Sequence, residues 1–139
     1  MQIARILAPV SLALLLAACA QPPPREGAPA SNAEKPRPTT DDYRRYIKGN
    51  VPAFNSSGVT DWDSPDPTHV VVWTSPAEAY LLTLFGACFG LDKASTILLS
   101  ADGGVVRPGA AAVMIGSEHC AIQFVDRLDA RAMKADHVH

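Results

Sequence analysis

Residues 69–85 read HVVVWTSPAEAYLLTLF, and this stretch decides the fold class. It opens with a β-branched run that ends in Trp73, and residues of this kind favour extended strands. Residues 75–78, Ser-Pro-Ala-Glu, are typical of a turn, and residues 79–85 have the length of a returning strand. We therefore predict a β-hairpin at the centre of the fold.

The returning segment has a second interpretation. Ser75 could cap a helix that has Pro76 at its first position, and a leucine-rich sequence supports helix formation. Gly86 and Gly90 follow too soon for a long helix, so the strand is the preferred prediction. Whether segment 77–86 is strand or helix stays open at this point.

Further strands are predicted on the C-terminal side. Segments 95–100 and 105–107 flank Asp102-Gly103-Gly104, a strong tight-turn signal, and predict a second hairpin. Segments 111–115 and 121–128 are two more candidates. In the last of these, alternation predicts Ile122 and Phe124 on one face and Gln123 and Val125 on the other.

Two short helices complete the prediction. The first is capped near Thr40, runs through Tyr43, Tyr46 and Ile47, and ends at Gly49; the second covers residues 130–135. Segment 50–67 is expected to be irregular, with Trp62 buried on the core. The fold class is therefore mainly β: a small antiparallel barrel or sandwich of about five to six short strands with one or two short helices.

The N-terminus indicates export. Arg5 precedes an apolar stretch at residues 6–18, which is shorter than the roughly 20 residues of a membrane span. Residues 16–19, Leu-Ala-Ala-Cys, resemble the lipobox of bacterial lipoproteins. The resemblance implies a signal peptide at 1–18 and a lipid on Cys19, and Ala20 in the following position favours the outer membrane.

The rest of the chain is divided by composition. Residues 19–40, here called the tether, are rich in proline and poor in large apolar side chains, which predicts a disordered spacer. A periplasmic domain is expected over 41–135, followed by a frayed end at 136–139. With 139 residues and a net charge of −2, the chain offers one small core and no basic excess for nucleic acid.

Three cysteines are present, and Cys19 is assigned to the lipid. In an oxidising compartment, a disulfide between Cys88 and Cys120 is the leading prediction. Two buried free thiols or a pair of metal ligands are the alternatives.

Candidate reactive groups have weak support. Asp136, His137 and His139 could bind a metal loosely, and Asp61, Asp63 and Asp66 have some likeness to a calcium loop, but both lack the spacing and support of a real site. We therefore predict no metal and no cofactor.

Catalytic motifs are also lacking in the sequence. His69 and His119 stand in no known motif, and His119 could activate Cys120 only if that thiol were free. The aromatic residues are assigned to the core, with a ligand pocket as the alternative; they are Trp62, Trp73, Tyr80, Phe85 and Phe89.

The sequence resembles a group of small proteobacterial lipoproteins that form a domain family of unknown function. The resemblance is carried by Trp62, the 70–73 strand, the 79–84 segment and the two later cysteines. The resemblance spans roughly residues 62–128 and implies no activity. We expect a non-enzymatic envelope lipoprotein, held to the membrane by its lipid, whose domain binds an envelope protein. The alternative is a periplasmic module that binds a small ligand or metal.

Overall fold

The computed structural model describes residues 36–138, all of which fall in one compact unit, Lys35–His139. The predicted signal peptide, Cys19 and the tether as far as residue 35 lie outside the described residues, as does His139.

The predicted fold class is confirmed: the domain is mainly β, with a curled, half-barrel antiparallel sheet and two short helices. Residues 36–138 form nine strands rather than five or six, because several strands are only two to four residues long. The helices are α1 Thr40–Arg44 and α2 Ala130–Ala135; the strands are β1 Ile47–Asn50, β2 Phe54–Asn55, β3 Asp61–Asp66, β4 His69–Ser75, β5 Glu78–Leu84, β6 Leu98–Ser100, β7 Val105–Val106, β8 Ala112–Ile115 and β9 Glu118–Leu128. No helix in the described part of the chain is long and apolar enough to cross a membrane.

The central hairpin is formed by β4 and β5, which pair with Val70 opposite Leu82 and Val72 opposite Tyr80. Segment 77–86 is therefore strand for most of its length and not helix. Val70, Val71 and Val72 are all fully buried, so both faces of β4 are covered. This explains why the run of apolar residues is unbroken. In a sheet with one face in solvent, apolar and polar residues would alternate.

The two faces of the hairpin belong to two separate cores. Val70, Val72, Leu82 and Leu84 join a first core that includes side chains from β2, β7, β8 and β9. Val71, Trp73, Ala79 and Leu81 join a second core. Tyr43 from α1 and Met133 from α2 close this second core, so the two helices cover the outer face of the sheet.

The second predicted hairpin is wrong. The sheet order is β3-β4-β5-β9-β8-β6, with β1 also paired to β9, and β2 and β7 form a separate two-stranded sheet. The turn at Gly103 and Gly104 does exist, and both residues have positive φ. The strands on either side of it separate, however: β6 pairs with β8 and β7 pairs with β2.

The predicted facing of β9 is also wrong. Ile122 pairs with Leu84 and Phe124 with Thr83, so Gln123 is an extra residue in a β-bulge. The bulge moves Phe124 to the opposite face from Ile122. Ile122, Val125 and Leu128 are buried, whereas Phe124 is exposed.

The N-terminal part of the domain is more regular than predicted. Helix α1 ends at Arg44, and Ile47 begins a strand against Leu128 of β9 instead of continuing the helix. Segment 50–67, expected to be irregular, contains β2 and β3. Trp62 is half-buried against the first core, as a residue of β3.

The C-terminal helix α2 forms where it was predicted, with Asp129 as its N-cap. The residues after it differ from the expected frayed end. Asp136 accepts a hydrogen bond from the Tyr46 hydroxyl at 2.6 Å, and Val138 packs against the second core. The described chain is thus held in place up to Val138.

Candidate functional site

A polar cluster forms where β3 turns into β4. The Asp66 carboxylate accepts hydrogen bonds from the backbone and the hydroxyl of Thr68, both at 2.7 Å, and from the hydroxyl of Thr40 on α1. The His69 ring places Nδ1 2.8 Å from Asp66 Oδ2. Burial raises the pKa of Asp66, but the hydrogen bonds from Thr40, Thr68 and His69 outweigh it and hold the pKa well below its usual range.

His69 is fixed on both ring nitrogens. With Nδ1 donating to Asp66, Nε2 is left to accept from the Arg44 guanidinium, whose nearest nitrogen lies 3.5 Å away. An aspartate that orients a histidine is one part of a nucleophilic triad. Here Nε2 faces a cation rather than a serine or cysteine, so the cluster attaches α1 to the β3–β4 turn.

The other two aspartates of the calcium-like pattern have separate roles. Asp63 accepts a hydrogen bond from the Tyr43 hydroxyl at 2.7 Å, and burial together with this carboxylate raises the pKa of Tyr43. Asp61 accepts from the backbone of Trp62. The residues from 36 to 138 contain no group of three or more His, Cys, Asp or Glu side chains placed to hold a metal ion.

The predicted disulfide between Cys88 and Cys120 is confirmed in the structure, with the two Cα atoms 5.7 Å apart. Cys88 is buried in the first core, and its backbone N–H donates to the Pro67 carbonyl at 2.8 Å. The bond therefore joins the loop after β5 to the start of β9. Because both sulfurs are used in the bond, the Cys120 thiol is not available to His119.

The aromatic residues are divided between core and surface. Trp73 is buried in the second core, and Tyr80 stacks on Phe54 with ring centroids 4.4 Å apart. Phe85 and Phe89, expected in the core or a pocket, are 64% and 79% exposed. The prediction is wrong for these two residues.

Phe85, Phe89 and Phe124 define a surface that we call the aromatic end. Phe124 is 50% exposed and lies opposite Thr83 on the outer face of the sheet. Phe85 follows Thr83 by two positions, and its N–H donates to the carbonyl of Ala121 at 3.1 Å. Strand alternation, continued one residue past the end of β5 at Leu84, puts Phe85 on the same face as Phe124. Phe89 lies in the loop that the disulfide joins to β9.

The opposite end of the hairpin carries two open grooves on either side of α2, which we call the α2 end. One groove, of about 500 Å³, has Trp73 in its lining and Asp61, Lys134 and His137 around it. The other, of about 930 Å³, is lined mainly by charged side chains, namely Lys48, Glu78, Arg127, Asp129 and Arg131. Ser75 borders both grooves. No pattern in the sequence pointed to this surface, since its residues come from five separate segments.

The C-terminal residues proposed as loose metal ligands contribute to this surface only in part. His137 lines the smaller groove, whereas Asp136 bonds to Tyr46. His139 lies outside the described residues, so the pair of imidazoles is not placed.

Fold and surfaces together define a small disulfide-bonded β domain with two helices on one face and a contrast between an aromatic end and a charged end. The chain belongs to a family of unknown function, DUF6491, whose model matches residues 2–139. No curated protein and no solved structure matches the chain.

Proposed function

We propose that this protein is a non-enzymatic lipoprotein of the bacterial envelope that binds a protein partner through its α2 end. Its lipid is attached at Cys19, the anchor lies in the outer membrane, and the domain stands in the periplasm. The observation that supports the binding role is the pair of open grooves beside α2, which are lined by both positively and negatively charged side chains.

The character of these grooves favours a protein. Sites for small molecules are concave, mostly apolar and close around the ligand. The larger groove instead has five charged residues, and four of them are paired across its walls, Lys48 with Asp129 and Arg127 with Glu78. Paired surface charges around a half-open groove resemble the polar rim of a protein interface.

A small-ligand module is the second candidate, supported by the smaller groove. An indole in the lining, with Asp61 and Lys134 nearby, could take a small zwitterion. Binding of such a molecule would shift the amide resonances of Ala130 and Lys134 in a titration, whereas a protein site would leave them unmoved by free amino acids and short peptides.

The anchor is tested with Cys19→Ser. The variant should leave the membrane fraction or accumulate as precursor, and globomycin should cause the same accumulation in the parent. If neither treatment changes the fractionation, the lipid anchor is wrong.

The partner is tested by placing a photo-crosslinking residue at Arg131, which is exposed on α2. Irradiation of whole cells should give one discrete crosslinked protein. The matched control is the same residue at Asp102, exposed but on neither groove. An equal pattern at both positions, or none at Arg131, would contradict the proposed interface.

A further inference from the structure

We propose that the aromatic end docks on the phospholipid bilayer, so that Phe85, Phe89 and Phe124 enter its interface and the domain lies in a fixed orientation. The inference rests on the proposed lipid anchor and adds a second membrane contact made by the folded domain itself.

The chemistry of the aromatic end suits lipid. Its three phenylalanines are the largest exposed rings in the described chain, at 64%, 79% and 50% exposure. The two segments that build it, residues 79–91 and 120–125, contain no Asp, Glu, Lys or Arg. Inserting these rings into the bilayer interface removes apolar area from water, which is favourable. Charged residues begin directly after each segment, at Asp92 and Asp126.

The chain enters the domain at this same end. Thr40, the first residue of α1, donates to Asp66. The next residue, Pro67, accepts from the backbone of Cys88, in the loop between Phe85 and Phe89. Arg37 lines a small cleft together with Leu91 and Asp92, which follow Phe89 closely.

The entry point places the aromatic end on the side of the domain to which the anchor segment is attached. The segment from Cys19 to Thr39 is about twenty residues long and can span no more than roughly 70 Å. The end of the domain to which it is attached is the end nearest the anchor. The aromatic end can therefore reach the bilayer without the domain turning over.

The same orientation presents the α2 end to the periplasm. The hairpin strands run between the two ends, since Ala79 at the start of β5 pairs with Leu128 just before α2, and Leu84 at its finish adjoins Phe85. Charged residues surround the α2 end, where water stays available to them.

The experiment is depth-dependent fluorescence quenching on the full lipidated chain. Phe89→Trp is reconstituted into phosphatidylethanolamine and phosphatidylglycerol vesicles, with and without brominated acyl chains. The introduced indole should lose emission in the brominated vesicles and show a blue-shifted maximum. Both changes are measured beyond those of the parent, whose own indoles are the buried Trp73 and the half-buried Trp62. Arg131→Trp is the matched control at the α2 end and should be unaffected by the bromines.

Each outcome is decisive. Equal quenching at both positions would mean that the domain has no preferred orientation, and no quenching at Phe89→Trp would mean that the aromatic end does not meet lipid; both overturn the proposal. A photo-crosslinker at Phe89 that captures one discrete protein in cells would also overturn it, by assigning this end to a protein. Failure of Cys19→Ser to change fractionation removes the anchor, which is a separate result.

Discussion

Asp66 is the residue on which the attachment of α1 depends. Its carboxylate receives hydrogen bonds from Thr40 on α1, Thr68 in the β3–β4 turn and His69 at the start of β4. A carboxylate has four acceptor positions and no donor, so it matches this set of donors, whereas an amide at the same place would turn an N–H toward one of them.

We predict that Asp66→Asn lowers the free energy of unfolding at pH 7 by about 1 to 3 kcal/mol, because hydrogen bonds to a charged acceptor are lost. The folded-state pKa of Asp66 is depressed, so its contribution is complete above the pKa of an unfolded aspartate and is lost as the pH falls through the lower folded value. The stabilities of parent and variant, measured by urea unfolding, should therefore begin to converge below about pH 4 and continue to converge as the pH falls further.

Asp41→Asn is the control for this substitution, since Asp41 is largely exposed and paired only with Arg44 at the surface. It should change stability by less than about 1 kcal/mol. A difference between parent and Asp66→Asn that stays constant from pH 7 to pH 3 would show that the carboxylate charge contributes nothing.

At the scale of the element, the bulge at Gln123 decides which side chains of β9 are buried. We predict that Val125→Ala costs about 2 kcal/mol, because it removes buried methyl groups from the first core. Phe124→Ala, although it removes a larger side chain, should cost less than about 1 kcal/mol, because that ring is half-exposed. Denaturant unfolding that ranks the two variants the other way would place the bulge elsewhere.

The disulfide gives a second prediction at the scale of the element. Replacing both Cys88 and Cys120 by serine should lower stability by about 2 to 5 kcal/mol, through the denatured-state entropy of the opened loop and the polar atom left at the buried Cys88 site. Mass spectrometry of native, unreduced protein should show no alkylation at either cysteine. Modification of either one would mean that the bond is not formed in the purified protein.

Sequence reasoning succeeded for elements whose partners are close along the chain. The β4–β5 hairpin needs only its own turn, and α2 needs only the cap at Asp129. It failed where a strand does not pair with its neighbour in sequence: β6 pairs with β8 and not with β7, and β7 pairs with β2, some fifty residues away. The turn at Gly103 and Gly104 does not determine which strands the segments on its two sides pair with.

The candidate surfaces were harder to predict than the elements. The disulfide was predicted from the number of cysteines and the predicted compartment. The exposure of Phe85 and Phe89 was not predicted, because phenylalanine side chains more often lie in the core. The α2 end is assembled from β1, β3, the β4–β5 turn, β9 and α2. Such a surface exists only once the tertiary fold is known.

At the scale of the whole molecule, both cores are built from residues that follow the tether. Their members run from Tyr43 to Val138, and α1 is the first element to contribute. The N-cap Thr39 and the buried Thr40 place the true start of the domain slightly before the predicted residue 41. If the segment before residue 36 serves as the predicted tether, the domain should fold without it.

We predict that a fragment of residues 36–139 unfolds cooperatively, within a few degrees of the full chain, when followed by circular dichroism. A fragment of residues 46–139 should melt far lower, because it lacks Tyr43, which is fully buried against Trp73, and the Thr40 hydroxyl that bonds to Asp66. Comparing the two fragments shows whether the segment before residue 36 is a tether or a part of the fold. If the longer fragment also fails to unfold cooperatively, residues before 36 belong to the fold, and a tether that holds the domain at a lipid anchor is the wrong description of them.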